Sequence, residues 1–146
     1  MIERQVFVGS WQLTFFEAAG SPTLRLATFG TDDAVVTAEH PVVTPPIAPG
    51  VVFTGSGHGV WQATGPDTAI VTFVSLGSTG QGTLFGTVTA RSNIRVGWDG
   101  QTFSGHVVWT IADRDGNPLA TYPGTFQAKR IVAEAPESTT AGARTT

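Results

Sequence analysis

The sequence predicts an all-β protein that closes into an eight-stranded antiparallel up-and-down barrel. Thr, Val, Phe, Trp and Gly are abundant, which is typical of β-proteins. Apolar and polar residues alternate along eight segments. Six of the seven connections between these segments are short turn signals, and one is long. A barrel buries one face of sequential strands and removes the edges of the sheet.

The eight predicted strands are the alternating runs between turn signals such as "GTDD" and "DRDGN", whose Gly, Asp and Asn residues favour tight turns. They are residues 6–17, 23–30, 34–40, 57–64, 68–77, 83–98, 101–112 and 118–131. A β-sandwich is the alternative architecture, but its crossovers usually need more than one long connection. This chain has one.

That long connection reads "HPVVTPPIAPGVVFTGS" over residues 40–56. Its four prolines prevent regular strand pairing, and its apolar side chains would be costly to expose as one patch. We expect residues 41–56 to form a lid over the barrel mouth, with Ile47, Val52 and Phe53 touching a ligand. Packing against the outer wall of the barrel is the alternative.

Composition bounds the domain and its partners. Residues 1–132 are expected to form a single barrel domain, and residues 133–146, "AEAPESTTAGARTT", a disordered tail without bulky apolar residues. The formal charge of −3 without a basic patch argues against nucleic acid, and no apolar run is long enough to span a membrane. We expect a cytoplasmic protein, either monomer or homodimer. The absence of cysteine excludes disulfides and thiolate metal sites.

Small residues share the predicted inward face with large ones. Gly86, Gly105 and Gly124 fall on this face. An eight-stranded barrel can either fill itself or hold one small ligand, so these glycines favour an internal cavity. They could equally mark bends in the barrel wall.

Gly9-Ser10-Trp11 opens the first strand, and Lys129-Arg130 closes the last. This pairing resembles the lipocalins and their calycin relatives, which begin with G-x-W and end with a basic residue packed on the tryptophan. The resemblance implies that Trp11 and Arg130 are structural residues at a closed end of the barrel, where a cation covers the indole face. It also implies a hydrophobic ligand inside.

In architecture alone the chain is similar to the small β-barrel cyclases of actinobacterial spirotetronate biosynthesis. Those proteins hold a linear polyketide inside a barrel while a cycloaddition proceeds. The similarity implies an enzyme without a cofactor that acts on an apolar natural-product intermediate.

The candidate site combines aromatic and polar residues. The predicted catalytic residues are Tyr122, His58 and Gln12, whose side chains could hydrogen-bond to a ligand carbonyl. The predicted ligand-binding residues, besides the three in the lid, are Trp61, Trp109, Leu13, Phe15, Phe73 and Phe126. No metal is expected, because the three histidines, at positions 40, 58 and 106, lack metal-ligand spacing. No cofactor motif is visible.

Three functions fit this pattern. The favoured hypothesis is a cofactor-free cyclase or isomerase that holds a flexible apolar chain in a reactive geometry. The second is a non-catalytic carrier or sensor of a hydrophobic ligand. The third is an interaction module whose barrel is filled.

Overall fold

The structure, a computed structural model, describes residues 6–16, 22–39 and 53–136. Its elements are nine strands. They are Gly9–Phe16 (β1), Thr23–Phe29 (β2), Ala34–Glu39 (β3), Phe53–Thr54 (β4), Gly57–Ala63 (β5), Thr68–Ser78 (β6), Leu84–Val96 (β7), Thr102–Asp113 (β8) and Pro118–Arg130 (β9). In these ranges no helix is long and apolar enough to cross a membrane.

The strands form one closed antiparallel barrel. Each long strand pairs with the next along the chain, and β1 pairs with β9 to close the sheet. The short β4 continues the line of β5 along β6, since Thr54 pairs with Gly77 and His58 with Val74. β4 and β5 therefore act as one interrupted strand, and the predicted eight-stranded up-and-down barrel is confirmed.

The barrel has two distinct ends. At the lower end lie the turns 30–33, 64–67 and 97–101. At the upper end lie the turns 79–83 and 114–117. The predicted lid falls mostly within residues 40–52, and most of the predicted tail lies beyond residue 136, so both expectations concern mainly positions outside the described residues.

Aromatic side chains fill much of the interior. Except for Phe7, which precedes β1, they occupy alternate strand positions that point inward. The buried ones are Phe7, Trp11, Phe15, Phe29, Trp61, Phe73, Phe103, Trp109 and Phe126. In the lower half the ring centroids of Trp11 and Phe103 are 4.5 Å apart, and those of Phe29 and Trp61 are 5.7 Å apart. Contacting aromatic rings therefore fill this end of the barrel.

Arg130 seals the lower end. Its guanidinium lies 4.3 Å from the centre of the Trp11 ring and donates hydrogen bonds to the carbonyl oxygens of Val6, Val8 and Gly100. The Trp11 indole donates to the carbonyl oxygen of Phe7 at 3.0 Å. Burial lowers the pKa of the Arg130 guanidinium, which remains charged at neutral pH. One side chain thus ties the last strand to the N-terminal segment and the 97–101 turn.

Two of the three predicted inward glycines, Gly86 and Gly105, lie where neighbouring strands approach closely. A Cβ built on Gly86 would lie 1.9 Å from the carbonyl oxygen of Ala112, and one on Gly105 would lie 2.1 Å from that of Asn93. The expectation that these two glycines open a cavity is therefore wrong. They allow the wall to bend, as glycine kinks do in other small barrels.

Replacing Arg130 with lysine should lower the free energy of unfolding by about 2 kcal/mol, because an ammonium cannot reach three carbonyl groups at once. Urea denaturation measures this change. Arg91→Lys is the control, since exposed Arg91 makes a single long contact of 3.4 Å to Thr110. Equal midpoints for the two variants would contradict the sealing role of Arg130.

Gly59→Ala tests the bend interpretation. The added Cβ would lie 1.9 Å from the carbonyl oxygen of Thr72 and 2.6 Å from the Phe73 Cα, so strands β5 and β6 must separate. We expect a loss of stability of about 2 kcal/mol or more in urea denaturation. Gly55→Ala, where a Cβ meets nothing within 4 Å, should change stability by less than about 0.5 kcal/mol. A Gly59→Ala variant as stable as the control would restore the cavity interpretation.

Candidate functional site

A group of polar side chains lies inside the upper half of the barrel. We call it the polar cluster: Arg25, Thr37, Glu39, Thr54 and Ser75. Strand alternation explains their orientation. Arg25 shares the inward face of β2 with Ala27 and Phe29, and Thr37 and Glu39 share that of β3 with Val35. Ionisable and hydroxyl groups therefore stand in the apolar interior.

Glu39 is the hub of the polar cluster. Its carboxylate accepts hydrogen bonds from Arg25 Nη1, from Thr54 Oγ1 at 2.9 Å and from Ser75 Oγ at 3.2 Å. The Glu39 side chain is 3% exposed and that of Arg25 is 14% exposed. The two opposite charges balance each other, and the three donors hold the carboxylate in place.

Arg25 is also held by aromatic rings. Its guanidinium carbon lies 4.5 Å from the centre of the Trp109 ring and 5.3 Å from that of Phe15. Trp109 is stacked on Tyr122, with ring centroids 6.3 Å apart, and meets Phe73 edge-on. These contacts fix the plane of the guanidinium against one aromatic wall.

Three buried polar atoms of this region have no hydrogen-bond partner within the described part of the chain: Arg25 Nε, Thr37 Oγ1 and Trp109 Nε1. Two of them, on Arg25 and Trp109, can only donate. We call these two N–H groups the donor pair. An unsatisfied buried donor costs about 1–3 kcal/mol, so such groups usually have a partner that is a water or a ligand.

A small cavity borders the polar cluster. Its volume is about 20 Å³, which is room for about one water molecule. It is lined mostly by apolar side chains of the inward faces, together with Arg25 and Thr37. Phe29 and Phe103 also border it, so the cavity lies between the polar cluster and the aromatic rings of the lower half.

Gly57 makes the polar cluster possible. It pairs with Thr37 across strands β3 and β5. A Cβ at Gly57 would lie 2.2 Å from Thr37 Oγ1, 2.6 Å from Phe73 Cδ1 and 3.1 Å from Ser75 Oγ. A side chain here would displace the Thr37 hydroxyl and crowd the Ser75 hydroxyl that donates to Glu39.

Several residues predicted to bind a ligand lie at this place. Four of them line the cavity: Leu13, Phe15, Phe73 and Phe126. Trp109 contacts Phe15, with ring centroids 5.4 Å apart, and Tyr122 stacks on Trp109 from its half-buried position on β9. The upper half of the barrel therefore gathers the apolar part of the predicted site.

Other predicted residues lie elsewhere. Gln12 and His58 occupy outward positions of β1 and β5, so they cannot reach a ligand inside the barrel, and the predicted grouping with Tyr122 is wrong. Trp61 lies at the lower end, where it donates to the carbonyl oxygen of Gly30 and does not border the cavity. Ile47 and Val52 lie outside the described residues, and Phe53 is described only as the first residue of β4.

The sequence interpretation missed Arg25 and Glu39. The sequence did indicate their positions. Both residues are an even number of positions from buried apolar residues on the same strand, so they point inward, and the 30–33 turn joins their strands. Arg25 and Glu39 are direct cross-strand partners in that hairpin. An ion pair predicted at this register would have located the site.

Metal binding finds no support in the described ranges, which contain no group of three or more His, Cys, Asp or Glu residues able to hold an ion. His58 and His106 are exposed on different strands, and His40 lies outside the described residues.

Comparisons with known proteins support the fold. No protein-family model matches the sequence, and no curated protein matches it. The chain is similar to the solved structure of EF1p2_mFAP2b bound to DFHBI, with a TM-score of 0.58 and 16% identity over 90% of this chain and 100% of that one. It is also similar to a redesigned beta barrel, b11L5F_LGL, with a TM-score of 0.52 and 15% identity over 90% of this chain and 96% of that one. At these identities the similarity concerns the fold.

A double-mutant cycle tests the coupling of the buried ion pair. Glu39→Gln leaves a buried guanidinium without its counter-charge and should cost about 3 kcal/mol of unfolding free energy. Arg25→Met in the Glu39→Gln background should recover most of this loss. Urea denaturation of the four proteins gives the coupling energy.

The control for this cycle is Asp67→Asn, which removes the carboxylate of the exposed Arg95–Asp67 pair, whose side chains are 67% and 49% exposed. It should change stability by less than about 1 kcal/mol. Additive losses in the Arg25/Glu39 cycle would contradict a coupled buried pair.

Proposed function

We propose that the chain binds a small, largely apolar molecule in the upper half of its barrel, with a polar group of that molecule on the donor pair. One observation carries the proposal: buried donors of Arg25 and Trp109 lack acceptors among the described residues. Aromatic and aliphatic walls with a few convergent polar groups are typical of small-molecule sites.

The fold gives further support. A neighbour with the same fold, EF1p2_mFAP2b, was solved bound to DFHBI. An eight-stranded barrel is just wide enough to hold one small ligand. Because Trp11 and Arg130 seal the lower end, a ligand of this chain would enter from the upper end.

The proposal requires side chains to move. A cavity of about 20 Å³ accommodates only about one water molecule, so a ligand must displace part of the upper wall. We expect the Tyr122 side chain to move, because it is only half-buried and its ring covers Trp109, a member of the donor pair. Of the predicted lid, residues 41–52 are proposed to cover the bound molecule, since Phe53 and Thr54 belong to the barrel wall as strand β4.

Turnover is a second proposal that uses the same site. A cofactor-free cyclase or isomerase needs a shaped pocket and one or two polar groups. The observation that favours chemistry is the buried Glu39 carboxylate, which could accept a proton from one position of a bound intermediate such as a flexible polyketide and return it at another, so that the mass is unchanged. Without turnover, the same binding would serve a carrier or sensor.

Native mass spectrometry of freshly purified protein tests the binding proposal. We expect a co-purifying apolar molecule, or saturable uptake of an added linear polyene. Trp109→Phe keeps an aromatic ring but removes one donor, and should weaken the binding about tenfold. Incubation of the complex, followed by analysis of the released molecule, distinguishes an unchanged ligand from a cyclised product of the same mass.

Trp98→Phe is the matched control, because Trp98 is fully exposed at the turn between β7 and β8. It should bind like the wild type. If neither a bound mass nor saturable uptake is found, the interior is filled and the interaction module becomes the better hypothesis. Equal weakening by both tryptophan variants would contradict the assigned site.

A further inference from the structure

We propose that the molecule bound in the barrel presents an uncharged hydrogen-bond acceptor, such as a ketone, ester, lactone or amide oxygen, and that the site discriminates against a carboxylate of the same shape. This inference rests on the proposed function and specifies its ligand class. It follows from the hydrogen-bonding capacity and the charge balance of the polar cluster.

The donor pair determines which kind of group can bind to it. An indole N–H and a guanidinium N–H can donate but cannot accept. The guanidinium of Arg25 lies 4.5 Å from the Trp109 ring centre, so both members of the donor pair belong to one region. Thr37 Oγ1, the third buried atom without a described partner, can also donate. A group that satisfies these atoms must therefore be an acceptor.

Charge balance decides which acceptor fits. Glu39 already neutralises Arg25 through a direct hydrogen bond, and Thr54 and Ser75 stabilise the carboxylate further. A ligand carboxylate on Arg25 Nε would add a second negative charge beside Glu39, whose side chain is 3% exposed. An uncompensated charge in such a site carries a large desolvation penalty. A neutral oxygen makes the same hydrogen bonds without that penalty.

The surroundings favour an aryl or conjugated body next to the acceptor. Phe15 and Trp109 flank the guanidinium, and Phe73 meets the Trp109 ring at 81°. Aromatic faces and edges give favourable contacts to a flat apolar molecule. The ligand class is thus a flat, apolar carbonyl compound.

An internal water is the competing occupant. The cavity beside Arg25 and Thr37 holds about one water molecule, and water could accept from Arg25 Nε. A water-filled site would take up no aromatic probe and would not discriminate among probes by charge. Titration with probes that differ in charge and in acceptor groups therefore distinguishes an internal water from a ligand.

The test compares three probes of nearly equal size by ¹⁹F NMR titration of the full chain. They are para-fluoroacetophenone, para-fluorobenzoate and para-fluoroethylbenzene, which carry a neutral acceptor, an anionic acceptor and no acceptor. We expect the ketone to bind about tenfold more tightly than the ethyl compound, since it gains a hydrogen bond. We expect it to bind at least about tenfold more tightly than the carboxylate, which meets Glu39.

Glu39→Gln sharpens the test because it removes the negative charge while keeping the size of the side chain. Arg25 then lacks a counter-charge, and the carboxylate probe should gain about tenfold or more relative to the ketone. Asp67→Asn removes an exposed carboxylate and should leave the order of the probes unchanged. If Glu39→Gln does not fold, the order of the three probes on the wild type decides.

The outcomes distinguish this inference from the proposed function. A carboxylate that binds the wild type as tightly as the ketone overturns the neutral-acceptor inference but leaves small-molecule binding intact. A ketone no better than the ethyl compound also overturns the inference, because the donor pair is then not used. Saturable binding of none of the probes, with the protein folded, overturns both the inference and the proposed function in favour of the internal water.

Discussion

Closure of the sheet is the constraint on which the rest of this structure depends. Pairing of β1 with β9 fixes the circumference of the barrel at eight strands, which leaves a narrow interior for every inward side chain. Trp11, Phe103, Phe29 and Trp61 occupy the lower half. Any group that exchanges with solvent or ligand must therefore use the upper half.

Two arginines lie over tryptophan rings in this barrel, and their different partners explain their different roles. Arg130 covers Trp11 at 4.3 Å, and its guanidinium nitrogens are bonded to main-chain carbonyl oxygens. Arg25 covers Trp109 at 4.5 Å, but only its Nη1 is held by Glu39, and Nε meets no acceptor in the described ranges. The first arrangement is complete and seals an end. The second arrangement leaves Arg25 Nε without an acceptor among the described residues, which suits a binding site.

Sequence periodicity was sufficient for the fold but only partly for the site. The alternation of apolar residues located the strands, and the 30–33 turn would also have fixed the register that pairs Arg25 with Glu39. By contrast, Ser75 and Trp109 reach this pair from β6 and β8, and their positions depend on how the closed sheet staggers its strands. Glycines were ambiguous for a similar reason: an inward glycine can leave space or permit close approach, and only the neighbouring strand decides.

The buried ion pair would be difficult to explain in a barrel that merely fills itself. Replacing such a pair with apolar side chains of similar volume is often neutral or stabilising, so packing alone gives no reason to retain it. Arg25 borders the internal cavity and Glu39 is its ion-pair partner, at the end opposite the seal formed by Arg130. A charge-balanced pair with donors to spare can recognise a polar atom and remain neutral when that atom leaves. That combination suits a site that binds and releases an uncharged molecule, whereas the packing of a filled core does not require it.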